Sequence, residues 1–119
     1  QPPYYMVLKD VVGSQDLTEG ETARLISPCY PLSTTLDMTF YYHMYGEDMG
    51  TLNVYVVGCD VTSFSDPVFT RSGNQGDEWI EGTINYDISS IDGNIKIVFE
   101  AIRGASTASV IAIDDVSIV

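Results

Sequence analysis

The stretch from Leu36 to Val57 constrains the fold most tightly, because its apolar residues recur with a period of two. Leu36, Met38, Phe40, Tyr42 and Met44 alternate with Asp37, Thr39, Tyr41 and His43. Successive side chains of a strand point to opposite faces, so this run collects its apolar residues on one buried face. A second run begins at Thr51, where Leu52, Val54 and Val56 interleave with Asn53, Tyr55 and Val57. Between them, Gly46-Glu47-Asp48-Met49-Gly50 supplies the Gly and Asp that a tight loop needs. The two runs are therefore expected to pair as a hairpin, with Glu47 and Asp48 at its solvated tip.

Strand-like runs recur along the chain, near Tyr4 to Leu8, Thr22 to Ser27, Pro67 to Thr70, Glu78 to Tyr86, Asn94 to Ile102 and Ser109 to Val119. Turn clusters such as Ser72-Gly73-Asn74-Gln75-Gly76-Asp77 and Ser89-Ser90-Ile91-Asp92-Gly93-Asn94 separate them. No window carries a helical period. Short strands punctuated by Gly, Pro, Asn and Asp define an all-β fold, an antiparallel β-sandwich of jelly-roll type, as one domain over residues 1–119. Within it Ile80, Gly82 and Ile84 alternate with Glu81, Thr83 and Asn85, and Trp79, the only tryptophan, is expected as a core anchor. In the run Ile95 to Ala101, Ile95, Ile97 and Phe99 are expected to face the core, with Lys96 and Glu100 pointing outward.

Five Lys/Arg against 17 Asp/Glu give a net charge of −12, so the field around the domain repels phosphate backbones and anionic lipid. Nucleic acid is not an expected partner; divalent cations and basic protein surfaces are. The same acidity also keeps a secreted module soluble. No apolar run reaches the ~20 residues needed to cross a bilayer, so no direct membrane insertion is expected. A start at Gln1-Pro2-Pro3, without Met, suggests a processed chain or an excised piece. Cys29 and Cys59 form either a disulfide or two free thiols, and are too far apart for a CxxC site. Bridged, they close a loop of about 30 residues, worth roughly 3.6 kcal/mol in the chain-entropy model.

Reactive groups are sparse. His43, the lone histidine, lies at an outward strand position, where a sheet-surface hydrogen bond accounts for it. No GxSxG elbow supplies a nucleophile for it, no GxGxxG or P-loop is present, and no Asn-x-Ser/Thr sequon offers a glycan. Among the eight tyrosines, Tyr41, Tyr45 and Tyr55 fall on or beside outward faces, where cross-strand pairing or a ligand platform would employ them.

Six segments, in order, carry a resemblance. They are Thr22-Ala23-Arg24-Leu25-Ile26-Ser27-Pro28, Phe40-Tyr41-Tyr42-His43-Met44-Tyr45-Gly46, Gly50-Thr51-Leu52-Asn53-Val54-Tyr55, Gly73-Asn74-Gln75-Gly76-Asp77-Glu78-Trp79, Ile97 through Gly104 and Ile111 through Ile118. Taken together the chain resembles a MAM domain, the module named after meprin, neuropilin and receptor-type tyrosine phosphatase mu. The resemblance implies a jelly-roll sandwich and a non-catalytic extracellular module, secreted or in a membrane-protein ectodomain, that mediates adhesion, homophilic contact or oligomerisation.

Departures from the family pattern shape the remaining expectations. The usual opening Cys-x-Phe-Glu strand has no counterpart here, which implies an open edge that strand addition from a partner chain or a neighbouring copy would fill. A usual Cys is replaced by Asp37, so the expected bridge is a private one, Cys29 to Cys59, tying the Ser27-Pro28 turn to the end of the Thr51 strand. In some MAM domains the acidic pair matching Asp114-Asp115 binds calcium with a Glu of the opening strand, so Asp114 and Asp115 are the candidate calcium ligands. The bland reading gives one Asp a loop hydrogen bond and leaves the other solvated. The rival function is a carbohydrate-binding jelly roll that stacks sugars on exposed tyrosines.

Overall fold

A computed structural model describes residues 4–6, 10–13, 22–31, 34–46, 50–64, 66–91, 93–102 and 110–118. All regular structure among them is extended: β1 (Tyr4–Met6), β2 (Asp10–Gly13), β3 (Thr22–Ile26), β4 (Thr35–Tyr45), β5 (Thr51–Gly58), β6 (Phe69–Ser72), β7 (Gly76–Asp87), β8 (Ile95–Ile102) and β9 (Val110–Ile118). These strands form two antiparallel sheets. The five-stranded sheet runs β1-β9-β4-β7, with β2 also paired to β9, and the four-stranded sheet runs β3-β8-β5-β6. No helix among the described residues is long and apolar enough to cross a membrane.

The core lies between the inner faces of the two sheets. Leu36, Met38, Phe40, Tyr42 and Met44 are buried, and the residues between them are more open, as the alternation requires. Opposite them stand Leu52, Val54 and Val56 of β5 and Ile97 and Phe99 of β8. Phe40 sits at the centre, edge-on to Phe69 at 5.1 Å and to Phe99 at 5.4 Å between ring centroids. Each such side chain contributes about 1.5–3 kcal/mol through burial, which makes this seam the main source of stability. Gly82 lies in register with Phe40, so the ring packs over a position that carries no Cβ.

The expected Leu36–Tyr45/Thr51–Val57 hairpin is not formed. β4 pairs with β7 and β9, whereas β5 pairs with β6 and β8. The two runs face one another across the core instead of lying side by side. A period of two fixes which face of a strand is buried, and an apolar face is satisfied equally by a neighbour's inner face in the opposite sheet. Glu47 and Asp48, expected at the hairpin tip, lie outside the described residues. Among the described residues β5 and β6 alone are both consecutive and hydrogen-bonded to each other; the later connections cross between sheets, as in Greek-key and jelly-roll folds. β2 has no counterpart in the sequence pattern, because Asp10-Val11-Val12-Gly13 is too short to show alternation; its pairing with Ile113 to Val110 holds it in the sheet.

Candidate functional site

Four features carry chemistry, three on the sheets and one at the end of the sandwich. On the outer face of the four-stranded sheet, Glu100 is only 5% exposed, although its position in β8 is the outward one expected. Its Oε2 accepts hydrogen bonds from Arg24 at 2.9 Å, and its Oε1 accepts from Tyr55 at 2.9 Å and Asn53 at 3.2 Å. Phe64 packs tilted against Tyr55, with ring centroids 5.6 Å apart, while the Arg24 guanidinium and the Lys96 ammonium lie 5.3 and 5.6 Å from its centroid. The segment bearing Phe64 therefore helps cover a face that an exposed sheet would leave wet. Burial pushes the Glu100 carboxyl up, but the bonds from Asn53, Tyr55 and Arg24, together with the Arg24 charge, outweigh it and hold the group below its ordinary value. Burial, reinforced by the bond to Glu100, pushes the Tyr55 phenol up. Tyr55, expected as an outward ring, is thus a structural donor at 6% exposure.

The outer face of the five-stranded sheet is different. Trp79 is 50% exposed and Tyr45 51%, and Tyr41 is also open. Trp79 is not the core anchor expected of a lone tryptophan: it shares the outward parity of Glu81, Thr83 and Asn85, while Gly82 and Ile84 point in. His43 ties this face together. Its Nε2 lies 3.1 Å from Asp77 Oδ1, to which the imidazole donates, and its ring sits 5.5 Å from Trp79 and 6.3 Å from Tyr45. The outward hydrogen bond expected of His43 is present. Asn85 donates to Asp37 across the same two strands, so the position that departs from the family pattern forms a polar cross-strand pair.

Asp114 and Asp115 lie on β9 at a break in register. Thr39 faces Ser117 and Tyr41 faces Asp114, so Phe40 of β4 spans two residues of β9, which is a bulge. On the other side β1 pairs with Ile118 to Val116 and β2 with Ile113 to Val110, and the two aspartates fall between these ladders. Asp114 is half-buried, and the side chain of Asp115 lies outside the described residues. Among the described residues no three His, Cys, Asp or Glu side chains form a metal cage.

Cys29 and Cys59 are joined as a disulfide, with their Cα atoms 6.1 Å apart. The bridge closes the end of the sandwich where β8 begins, since Tyr30 exchanges backbone hydrogen bonds with Ile95 and the Cys59 amide donates to Asn94. Beside it opens a cleft of about 610 Å³ whose lining includes Asp60, Val61, Tyr86, Ile91 and Asn94.

Fold and surface together define a two-sheet antiparallel sandwich that displays rings and carboxylates on one rigid face and seals the other. The family model described as MAM domain, meprin/A5/mu, matches residues 2–119, and the chain belongs to that family. It is 39% identical over 125 residues to MAM domain-containing glycosylphosphatidylinositol anchor protein 2 of Homo sapiens, a match covering 97% of this chain and 12% of that protein. It is 38% identical over 114 residues to thyroid hormone-induced protein B of Xenopus laevis, covering 95% of this chain and 16% of that one. The chain thus spans only a small part of the relatives it matches. Among solved structures, the cleaved adhesin domain of Lys-gingipain from Porphyromonas gingivalis superposes with a TM-score of 0.66 at 14% identity, over 85% of this chain and 65% of that one. The CBM36-1 domain of a multidomain xylanase from the Trinervitermes trinervoides hindgut metagenome gives 0.55 at 15% identity, over 100% of this chain and 87% of that one. These likenesses show the β-sandwich fold.

Proposed function

We propose that this chain is a non-catalytic extracellular recognition module, mediating protein–protein contact or oligomerisation within a larger secreted or membrane-anchored protein. Membership of the MAM family and relatives named as glycosylphosphatidylinositol anchor proteins support the extracellular setting. The observation that carries the contact role is the open ring cluster of Tyr41, Tyr45 and Trp79 on the five-stranded sheet. Aromatic side chains dominate binding energy at protein interfaces, and here strands locked into the core from behind hold them in place at little entropic cost. Calcium at Asp114 and Asp115 would, in this reading, stiffen the bulge beside Tyr41.

Beads coated with the domain are expected to cluster with one another or to adhere to cells that bear its partner, including after enzymatic removal of glycans. The double substitution Tyr45→Ala and Trp79→Ala should abolish that adhesion while leaving the melting temperature nearly unchanged. Adhesion that persists in the double variant would overturn the reading. One observation favours a second reading as a carbohydrate-binding module: the cleft beside the disulfide combines a half-open tyrosine, Tyr86, with the hydrogen-bonding groups of Asp60 and Asn94. Glycan-array binding lost on Tyr86→Ala would support it.

A further inference from the structure

The described cations and the exposed rings Tyr41, Tyr45 and Trp79 lie on different sheets. Arg24, Arg71 and Lys96 belong to β3, β6 and β8 of the four-stranded sheet, and each already lies over a phenylalanine ring, Arg24 and Lys96 over Phe64 and Arg71 over Phe69. The described parts of β4, β7 and β9 contain no Lys or Arg. Their outer face sets rings beside carboxylates instead, and Asp77 already accepts from His43. Along β7 the exposed residues Asp77, Trp79 and Glu81 follow one another at every second position. Across the strands, Tyr41 stands in register with Glu81 on one side and with Asp114 on the other.

The spacing limits what can dock there. Same-face residues on a strand recur about every 6.6–6.8 Å, and neighbouring strands lie about 4.8 Å apart, so Tyr41 has Glu81 within one side chain's reach across the strands and Trp79 has it along β7. An arginine satisfies both together: its planar guanidinium stacks on an aromatic face while its edge donates to a carboxylate. An extended segment presents alternate side chains at the same repeat. β7 is also the outermost strand of its sheet's path, so such a segment can lie beside it without displacing any described strand.

We infer that the outer face of β4 and β7, with Tyr41, Trp79, Asp77 and Glu81 at its centre, docks an extended arginine- and lysine-rich segment of a partner protein. This rests on the recognition reading and names the chemistry of its partner. The sign of the whole chain, at −12, steers the same class of partner toward it, and the local arrangement decides where it settles.

Trp79 is the only tryptophan, so its fluorescence reports this face alone. Titrating the domain with a short oligo-arginine peptide is expected to give a saturable change in that signal, with an affinity that weakens as salt is raised. Glu81→Gln should weaken binding about three-fold, and Tyr41→Ala by a similar factor. Asp66→Asn removes the same charge from an exposed position beyond the sheet face and should leave the affinity unchanged. Equal weakening by Asp66→Asn and Glu81→Gln would reduce the effect to net charge and overturn the proposal. So would peptide binding that leaves Trp79 silent, a Trp79 response to a neutral oligosaccharide in place of the peptide, or a peptide-free, concentration-dependent response that marks a contact between copies. If these tests fail while bead adhesion still depends on Tyr45 and Trp79, recognition stands and only the basic partner falls.

Discussion

Replacing Gly82 by alanine tests the packing of the core with a single methyl group. An added Cβ would meet Phe40 Cζ at 2.6 Å and its Cε1 and Cε2 at 3.0 Å, so the ring would have to retreat by most of an ångström to restore ordinary contact. Phe40 is fully buried, and Phe69 and Phe99 stand edge-on to it, so a rigid wall of rings opposes that retreat. Overpacking of this kind costs about 1–3 kcal/mol, whereas alanine gains about 0.5–1 kcal/mol over glycine in a strand interior. The expected net is a destabilisation of about 1–2 kcal/mol, or roughly 3–8 °C in melting temperature for a domain of this size. The decisive assay is a double-mutant cycle with Phe40→Leu, followed by thermal and urea denaturation. Phe40→Leu is itself destabilising, but in its background Gly82→Ala should be neutral or stabilising, with a coupling of about 1–3 kcal/mol. A Gly82→Ala variant as stable as the parent, or one that loses the same stability with leucine at position 40, would refute the close packing of ring on glycine.

Glu100→Ala leaves Asn53, Tyr55 and Arg24 without their shared acceptor and should cost about 2–4 kcal/mol by chemical denaturation, with Glu100→Gln costing less. Because the folded state holds the Glu100 carboxyl below its ordinary value, the stability it contributes is present above about pH 4.5 and is lost as the pH falls through the lower folded value. Melting temperatures followed into acid should therefore fall less steeply for Glu100→Gln than for the parent. Reducing Cys29–Cys59, whose partners lie 30 residues apart, should lower stability by about 3–4 kcal/mol, measured by denaturation with and without reductant. Calorimetric titration with calcium is expected to release heat and raise the melting temperature, with both effects lost in Asp114→Asn combined with Asp115→Asn; a parent that shows neither removes calcium from this pair.

How far the fold was legible depended on what a period of two records. It records the buried face of a strand, so the inner residues of β4, β5 and β7 fall where the alternation put them. It does not record which sheet a strand joins, and the β4–β5 hairpin failed for that reason: each run offers one apolar face, and two such faces are buried as well across a core as along an edge. Trp79 departs from expectation for a different reason: its parity with Glu81 and Thr83 puts it outside, and the phase of its own strand outweighs the general preference of tryptophan for interiors.

The sealed and open faces of the sandwich were unequally legible because a covered outer face leaves only a weak trace in sequence. β5 and β8 carry Tyr55, Val57 and Val98 at outward positions, and apolar residues on both faces of a strand are the mark of a sheet buried on both sides. That signal was available, but the covering residue, Phe64, sits in an irregular segment with no period to read, and so Glu100 looked solvent-bound. Once Phe64 is in place, the consequence reaches beyond stability. The outer face of the four-stranded sheet uses the ring of Phe64 and two of the described cations, Arg24 and Lys96, to satisfy itself internally. On the five-stranded sheet the described neighbour of Trp79 and Tyr45 is the ring of His43, which is tied to Asp77, and the inferred basic segment would bring to Glu81 the cation that Arg24 gives Glu100 within the chain. The pairing of guanidinium, ring and carboxylate on one sheet is thus a working example, inside the same molecule, of the contact inferred for the other.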